Sequence, residues 1–264
     1  MDLQLEGKRA LVTGSTAGIG FAVALGLAKE GAAVVVNGRS PQRVDSAVQQ
    51  IQSLAPTGKA SGVAANLATA AGVEELQRQV PEVDILVNNL GIFEPKPFEE
   101  ITDTDWLLFF ETNVLSGVRL TRHYLPAMKS RNWGRILFVS SESALNIPPE
   151  MIHYGMTKTA QLAISRGLAE TTAGTGVTVN SILPGPTNSE GVATFIAKLA
   201  QERGIDGAAM EAEFFQTARP SSLLRRFITP EEVANLIIFV CSPASSATNG
   251  AALRVEGGVV RSIS

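Results

Sequence analysis

The chain has 264 residues, of which 45% are hydrophobic and 18% charged, with a formal net charge of −3 at pH 7. That balance describes a globular protein with a sizeable core; it excludes general disorder and gives no electrostatic drive toward nucleic acid or an anionic membrane surface. One cysteine, Cys241, and two histidines, His123 and His153, exclude an internal disulfide and supply too few ligands for a Cys/His zinc cluster, so a metal-free protein is expected.

The opening stretch MDLQLEGKRALVTG carries charges where a signal peptide needs an apolar run. No run of about 18 apolar residues follows, so no membrane partner and a cytoplasmic location are the expectation. From there short apolar runs alternate with longer helical stretches. RALVTG leads into GFAVALGLAKEG, AAVVVNGR into PQRVDSAVQQIQSLA, and KASGVAAN into EELQRQV. DILVNN is followed by a long segment from about Asp103 to Met128, GRILFVSS by a helix from about Ile152 to Ala173, and GVTVNSILPG by the long interruption 186–229. The helix PEEVANLIIFV and a last strand, AALRVEGG, close the chain. Strands that are apolar throughout, not alternating, belong to a sheet covered on both faces. The predicted fold is therefore α/β: a doubly wound, Rossmann-like parallel sheet in one domain over residues 1–264, with right-handed connections.

The interruption at 186–229 carries two amphipathic pieces, GVATFIAKLAQERG and AAMEAEFFQTA, and reads as a lid over a pocket or, failing that, a peripheral helical hairpin. Phe195, Met210, Phe214 and Phe215 suggest an apolar pocket, while Glu190 and Arg225 either recognise polar groups or sit in water.

VTGSTAGIG, residues 12–20, follows the first strand and opens the first helix, the context in which glycines form a phosphate cradle. Gly14 permits the sharp turn, Gly18 the approach of backbone to a pyrophosphate, and Gly20 the close packing of helix on strand. Backbone N–H groups at the helix start supply the anion site, so Gly14, Ser15, Thr16, Gly18, Ile19 and Gly20 are candidate cofactor contacts. The spacing is G-x-x-x-G-x-G, not the commoner G-x-G-x-x-G. At the end of the second strand, where an NAD site wants a carboxylate for the ribose 2′-hydroxyl, the chain has Gly38 and Arg39. A guanidinium grips a 2′-phosphate, so NADP(H) is favoured over NAD(H), with Asn37 and Ser40 assisting; the competing reading is a solvated Arg39.

HYGMTK, residues 153–158, sets Tyr154 and Lys158 four apart at a helix start. Alone, that spacing means no more than a shared face. In order along the chain, TGSTAGIG, NNLG at 88–91, Asn113, the serines at 140 and 141, YGMTK and PGPTNS at 184–189 together identify a resemblance to the short-chain dehydrogenases/reductases, in their single-domain branch.

The resemblance implies a hydride-transferring oxidoreductase acting between nicotinamide and a carbonyl or secondary alcohol, with Asn113, Ser141, Tyr154 and Lys158 as catalytic positions. Ser141 is preferred to Ser140 for holding the substrate oxygen. Tyr154 is the expected general acid/base, though a phenol of pKa about 10 is poorly matched to neutral pH. Lys158, about 6 Å further along the axis, is expected to lower it together with the charge of an oxidised nicotinamide; three units would correspond to roughly 4 kcal/mol. The resemblance also implies that Lys158 binds the nicotinamide ribose and that Asn113 holds a water beside it in a proton path. Asn66 and Leu67 are expected near adenine, and Asn89 and Gly91 along the adenosine-side wall. Pro184, Gly185, Thr187 and Ser189 are expected near the carboxamide, with the Thr187 N–H replacing the one that Pro186 lacks. Leu90 stands where the family usually has alanine. A homotetramer or homodimer, paired through the helices after Asp103 and after Tyr154 and through the last strand, goes with the family. The substrate is a small carbonyl or alcohol compound, with a 3-oxoacyl thioester as one alternative; a non-enzymatic NADP(H)-sensing protein is the alternative of another class.

Overall fold

The structure is a computed structural model that describes residues 2–263, the side chain of Phe195 excepted. Strand β1 (Arg9–Val12) runs through the glycine-rich turn into α1 (Gly18–Lys29); β2 (Ala33–Gly38) leads to α2 (Pro41–Leu54) and β3 (Lys59–Ala64) to α3 (Ala70–Gln79). The second half contains β4 (Ile85–Asn88), α4 (Asp103–Phe110), α5 (Ser116–Ser130), β5 (Gly134–Val139), α6 (Ile152–Glu170) and β6 (Val177–Pro184). Helices α7 (Glu190–Arg203), α8 (Gly207–Thr217) and α9 (Pro230–Cys241) precede β7 (Ala252–Val255).

The seven strands pair in the order β3-β2-β1-β4-β5-β6-β7, all parallel. Consecutive apolar residues divide between the two faces, as the pleat requires. Val34 and Val36 join the core under α1 and α9, whereas Val35 joins the core on the other face with Leu120 and Tyr124. Continuous apolar runs thus serve two cores at once. The sequence reversal between β1 and β4 opens a crevice beyond their C-terminal ends, where sheets of this kind bind ligands. β3, at the edge, is largely exposed and is the exception to the apolar pattern.

Local chemistry sets most helix starts. Ser40, Thr69, Thr102, Ser189, Asp206 and Thr229 each cap the helix that follows by accepting from a backbone N–H in its first turn. Helices α1, α5 and α6 are different: Ala17, Leu115 and Met151 precede them and offer no side-chain cap. The long segment expected from Asp103 to Met128 divides into α4 and α5 around one wide π turn, Glu111–Leu115. No helix among the described residues is long and apolar enough to cross a membrane.

Candidate active site

The crevice widens into a cavity of about 400 Å³ walled by the ends of β4, β5 and β6, the start of α6, and the α7–α8 segment. Ser141, Tyr154 and Lys158 all line it, as do Asn89, Gly91, Gly185 and Thr187. The Tyr154 phenol interacts with the Ser141 hydroxyl, while Ser140, on the next position of the strand end, donates its hydroxyl to the Lys158 carbonyl at 2.8 Å. Lys158 is 4% exposed; its Nζ donates to the Val139 carbonyl at 2.9 Å and to Gln161 Oε1 at 3.3 Å, and lies over the Tyr154 ring, 5.6 Å from its centroid. His153, next to Tyr154, is fully buried against Phe109 and Trp106 and anchors the start of α6.

The electrostatics correct the expectation drawn from spacing. Burial pushes the Tyr154 phenol up to about 12; the bond to Ser141 works against this, and the Glu142 charge reinforces it. Burial also drops Lys158 to about 7. Desolvation outweighs proximity because the same burial that penalises the phenolate drives Lys158 toward its neutral form, leaving little cation to favour the anion. The anticipated lowering counted two positive charges, and the protein carries one.

Asn113 is held within the fold. The π turn buries it and aims its amide at the neighbouring loop: Oδ1 accepts from the Ile92 N–H at 2.8 Å, and Nδ2 donates to the Ile92 carbonyl and to Thr157 Oγ1, both at 3.0 Å. With both N–H groups used, the side chain is a brace for the loop after β4. The main-chain carbonyl of Asn113, released by the π turn, accepts from Gln161 Nε2 at 2.6 Å, so the link from Asn113 to Lys158 runs through Gln161.

On the glycine-loop side, several expected contacts are consumed internally. Ser15 is fully buried; its Oγ donates to the Val12 carbonyl and accepts from the Asn37 N–H, and its own N–H donates to the Asn37 carbonyl, which ties the turn to β2. Asn37, expected to assist at the 2′-phosphate, is buried with its amide on the Val63 and Ala65 carbonyls. Asn89 Nδ2 donates to the carbonyls of Thr13 and Gly14, and Leu67 is a core residue. Gly18 adopts a left-handed φ of +57°, and a Cβ on Gly20 would come within 2.5 Å of the Gly14 carbonyl and the Asn89 amide. Gly14 sits above Leu90, Thr16 against Gly38, and Ile19 on the cavity wall. Arg39 is exposed at the end of β2 and makes no ion pair among the described residues. Asn66 is exposed, with its Oδ1 accepting from the Ala68 N–H.

Beyond β6, Pro184 is buried and the Gly185 N–H donates to the Val255 carbonyl. The bridge between Thr187 and Ile228 uses the Pro186 carbonyl and the Asn188 N–H, leaving the Thr187 N–H outside it. Ser189 caps α7, so its hydroxyl serves the helix. Glu190, at the start of α7, pairs with Arg43 of α2 on the surface, whereas Arg225 lines a different, outer depression and not the cavity. Met210, with Ile196 and Ala200, forms a small apolar cluster of the α7–α8 segment, against which Phe214 and Phe227 pack; Phe195 falls outside the described side chains.

Comparison with known proteins follows the same lines. Residues 8–200 match the family model described as short chain dehydrogenase. The chain belongs to the short-chain dehydrogenase family. It is accordingly an oxidoreductase working between CH–OH and C=O groups. It is 49% identical over 263 residues to the uncharacterized oxidoreductase YvaG of Bacillus subtilis, covering 100% of both chains. It is 32% identical to the 3-oxoacyl-[acyl-carrier-protein] reductase FabG of Aquifex aeolicus, covering 98% of this chain and 100% of the relative. Among solved structures, L-sorbose reductase from Gluconobacter frateurii, complexed with NADPH and L-sorbose, superposes with a TM-score of 0.93 at 31% identity over 100% of both chains.

Three residues of this family member's cavity and relay escaped the sequence reading. Glu142 and Arg219 form a buried ion pair in the cavity wall, with Nε to Oε1 at 2.8 Å. Gln161 bridges Lys158 to Asn113. Its signal was present, since it lies three residues beyond Lys158 on the same helix face.

Proposed function

We propose that the protein is an NADP(H)-dependent carbonyl reductase, with Tyr154 exchanging the proton at the substrate oxygen. The observation that carries this reading is the convergence of Ser141, Tyr154 and Lys158 on one cavity at the sheet's reversal point. The chain's own residues fit a dinucleotide: α1 starts without a side-chain cap, so its first N–H groups are open to a pyrophosphate, and the bare backbone at Gly20 leaves the cradle clear. Gly14, Thr16, Gly18 and Ile19 would hold the pyrophosphate, Arg39 the 2′-phosphate, Asn66 the adenine, Gly91 the neighbouring wall and the Thr187 N–H the carboxamide. The exposed, unpaired Arg39 and the NADPH of the L-sorbose reductase complex support NADP(H) over NAD(H). When bound, the nicotinamide supplies or accepts the hydride at the carbonyl carbon.

The protein's part is to hold and protonate. Ser141 donates to the carbonyl oxygen and polarises it; Tyr154, kept neutral by burial, gives that oxygen its proton during reduction. Lys158, steadied by Gln161, recharges the phenol and binds the nicotinamide ribose. Tyr154→Phe tests the assignment: turnover of a reducible ketone should fall by at least ~10²-fold while NADPH binding persists, and activity within tenfold of wild type refutes it. The α7–α8 segment acts as the lid, and the exposed Leu107, Leu108 and Phe110 of α4 support pairing of subunits through that helix.

A further inference from the structure

We propose that Arg219 is a positioning residue: from the end of the α7–α8 segment it clamps the turn after Ser141 and the turn before Tyr154, so that seating the lid and aligning the two hydroxyls are one event. The inference rests on the reading of Ser141 and Tyr154 as the seat of carbonyl chemistry and adds a residue that acts through them. Arg219 stands just past α8, is 7% exposed, and its Nε donates to Glu142 Oε1 at 2.8 Å. The same Oε1 accepts from Ser143 Oγ at 3.1 Å, and the Ser143 N–H donates to Ser141 Oγ, also at 3.1 Å. That last bond fixes the Ser141 oxygen and leaves its own proton free to be given. Three hydrogen bonds in series therefore connect a lid residue to the hydroxyl that holds the substrate oxygen.

The guanidinium also faces the start of α6. Its Nη1 lies 3.7 Å from Glu150 Oε1, in the short turn Pro149–Met151 that immediately precedes α6 and Tyr154. That helix has no side-chain cap, so the segment before it depends on contacts from elsewhere in the fold. Nη1 donates to the Ala218 carbonyl at 2.8 Å, and the guanidinium stands 6.0 Å from the centroid of the Phe214 ring, which packs against Phe227 at 5.1 Å. Arg219 is thereby joined to the lid's own apolar cluster. Burial pushes the Glu142 carboxyl up, and the guanidinium beside it is what favours its charged form. A buried ion pair adds little net stability, because desolvation offsets much of the attraction, but a planar fork between two carboxylates is geometrically specific. What Arg219 supplies is the registration of three segments that are distant in sequence.

Arg219→Met, Arg219→Lys and Glu142→Gln test this, with ethyl acetoacetate, acetophenone and benzaldehyde as probe substrates and NADPH consumption as the signal. Arg219→Met should lower kcat by roughly ten- to hundredfold, the range of a lost hydrogen bond to a charged group, with KM and NADPH affinity within about threefold of wild type. Arg219→Lys keeps the charge but offers one point donor to two carboxylates, so its kcat should fall by only about three- to tenfold. Adding Glu142→Gln to Arg219→Met should cost no more than about threefold beyond the worse single variant, because both break one chain of bonds. Seating of the lid is read without turnover: trypsin should cut after Lys198 at least about threefold faster in both NADPH-loaded Arg219 variants than in wild type. If the wild type reduces none of the three probes, the carbonyl reading fails, and the cleavage rates still decide whether Arg219 seats the lid. If Arg219→Met does not fold, Arg219→Lys decides by the same two measurements. Wild-type kcat in either substitution at 219, a loss that falls on KM instead, additive losses with Glu142→Gln, or unchanged cleavage overturns the proposal.

Discussion

The two walls of the crevice use their polar groups in opposite ways. On the glycine-loop wall, Ser15, Asn37 and Asn89 spend their side chains on backbone carbonyls and N–H groups, and what remains open is the main chain at the uncapped start of α1. Across the crevice, Tyr154 shares its phenol with Ser141, and Glu142 keeps one oxygen dry and unpaired. A dinucleotide can be held by backbone that any chain with these glycines would present. Discrimination among substrates has to be written in side chains.

Four experiments test that contrast, beginning with the largest effect. Gly20→Val puts carbon where the Gly14 carbonyl and the Asn89 amide already stand, 2.5 Å from a Cβ. It should abolish measurable NADPH binding and destabilise the fold by ~1–3 kcal/mol, read by fluorescence titration and thermal melting. Retained binding would place the dinucleotide elsewhere. Arg39→Ala should weaken NADPH by roughly ten- to hundredfold and leave NADH within about threefold, as expected for lost hydrogen bonds to a phosphate. Equal losses would remove the 2′-phosphate assignment.

On the opposite wall, Lys158 loses its proton near pH 7 in the folded protein, against an ordinary value of 10.5 once unfolded. Between those values the unfolded chain binds more protons, so stability rises with pH. Relative to Lys158→Met, wild-type unfolding free energy should climb from pH 7 to 10 by up to ~1.4 kcal/mol per unit; a flat difference would mean that Lys158 is hydrated. The smallest effect belongs to Gln161, a positioning residue. Gln161→Leu removes the acceptor that favours the ammonium, so kcat should fall by about tenfold with KM little changed, the loss of roughly one hydrogen bond. The alkaline limb of the kcat profile should move to lower pH. A pure stability loss with an unmoved profile would make Gln161 structural only.

How far each wall was legible depended on chain distance. Ser141, Tyr154 and Lys158 stood out because their spacing is local to one strand end and one helix. Gln161 was equally local and was passed over because no pattern marked it. Arg219 was out of reach: its partner Glu142 is 77 positions away, and the two meet only because the α7–α8 segment folds back over β5. The hydrogen bonds of Ser15, Asn37 and Asn89 within the fold were out of reach for a related reason, since a polar side chain in a loop does not reveal which carbonyl the folded loop will offer it.

By itself the sequence determined the parallel sheet, through strands apolar on both faces, most of the helix starts, through Ser, Thr and Asp caps, and the turn at the glycine loop, through residues free of Cβ. Each of these depends on interactions within a few residues or on periodicity. Only the tertiary structure decided the charge states at the site, because desolvation is a property of the whole surround: it raised Tyr154, lowered Lys158 and reversed the order that spacing alone suggested. It also decided which buried polar atoms were left without partners, Glu142 Oε2 among them.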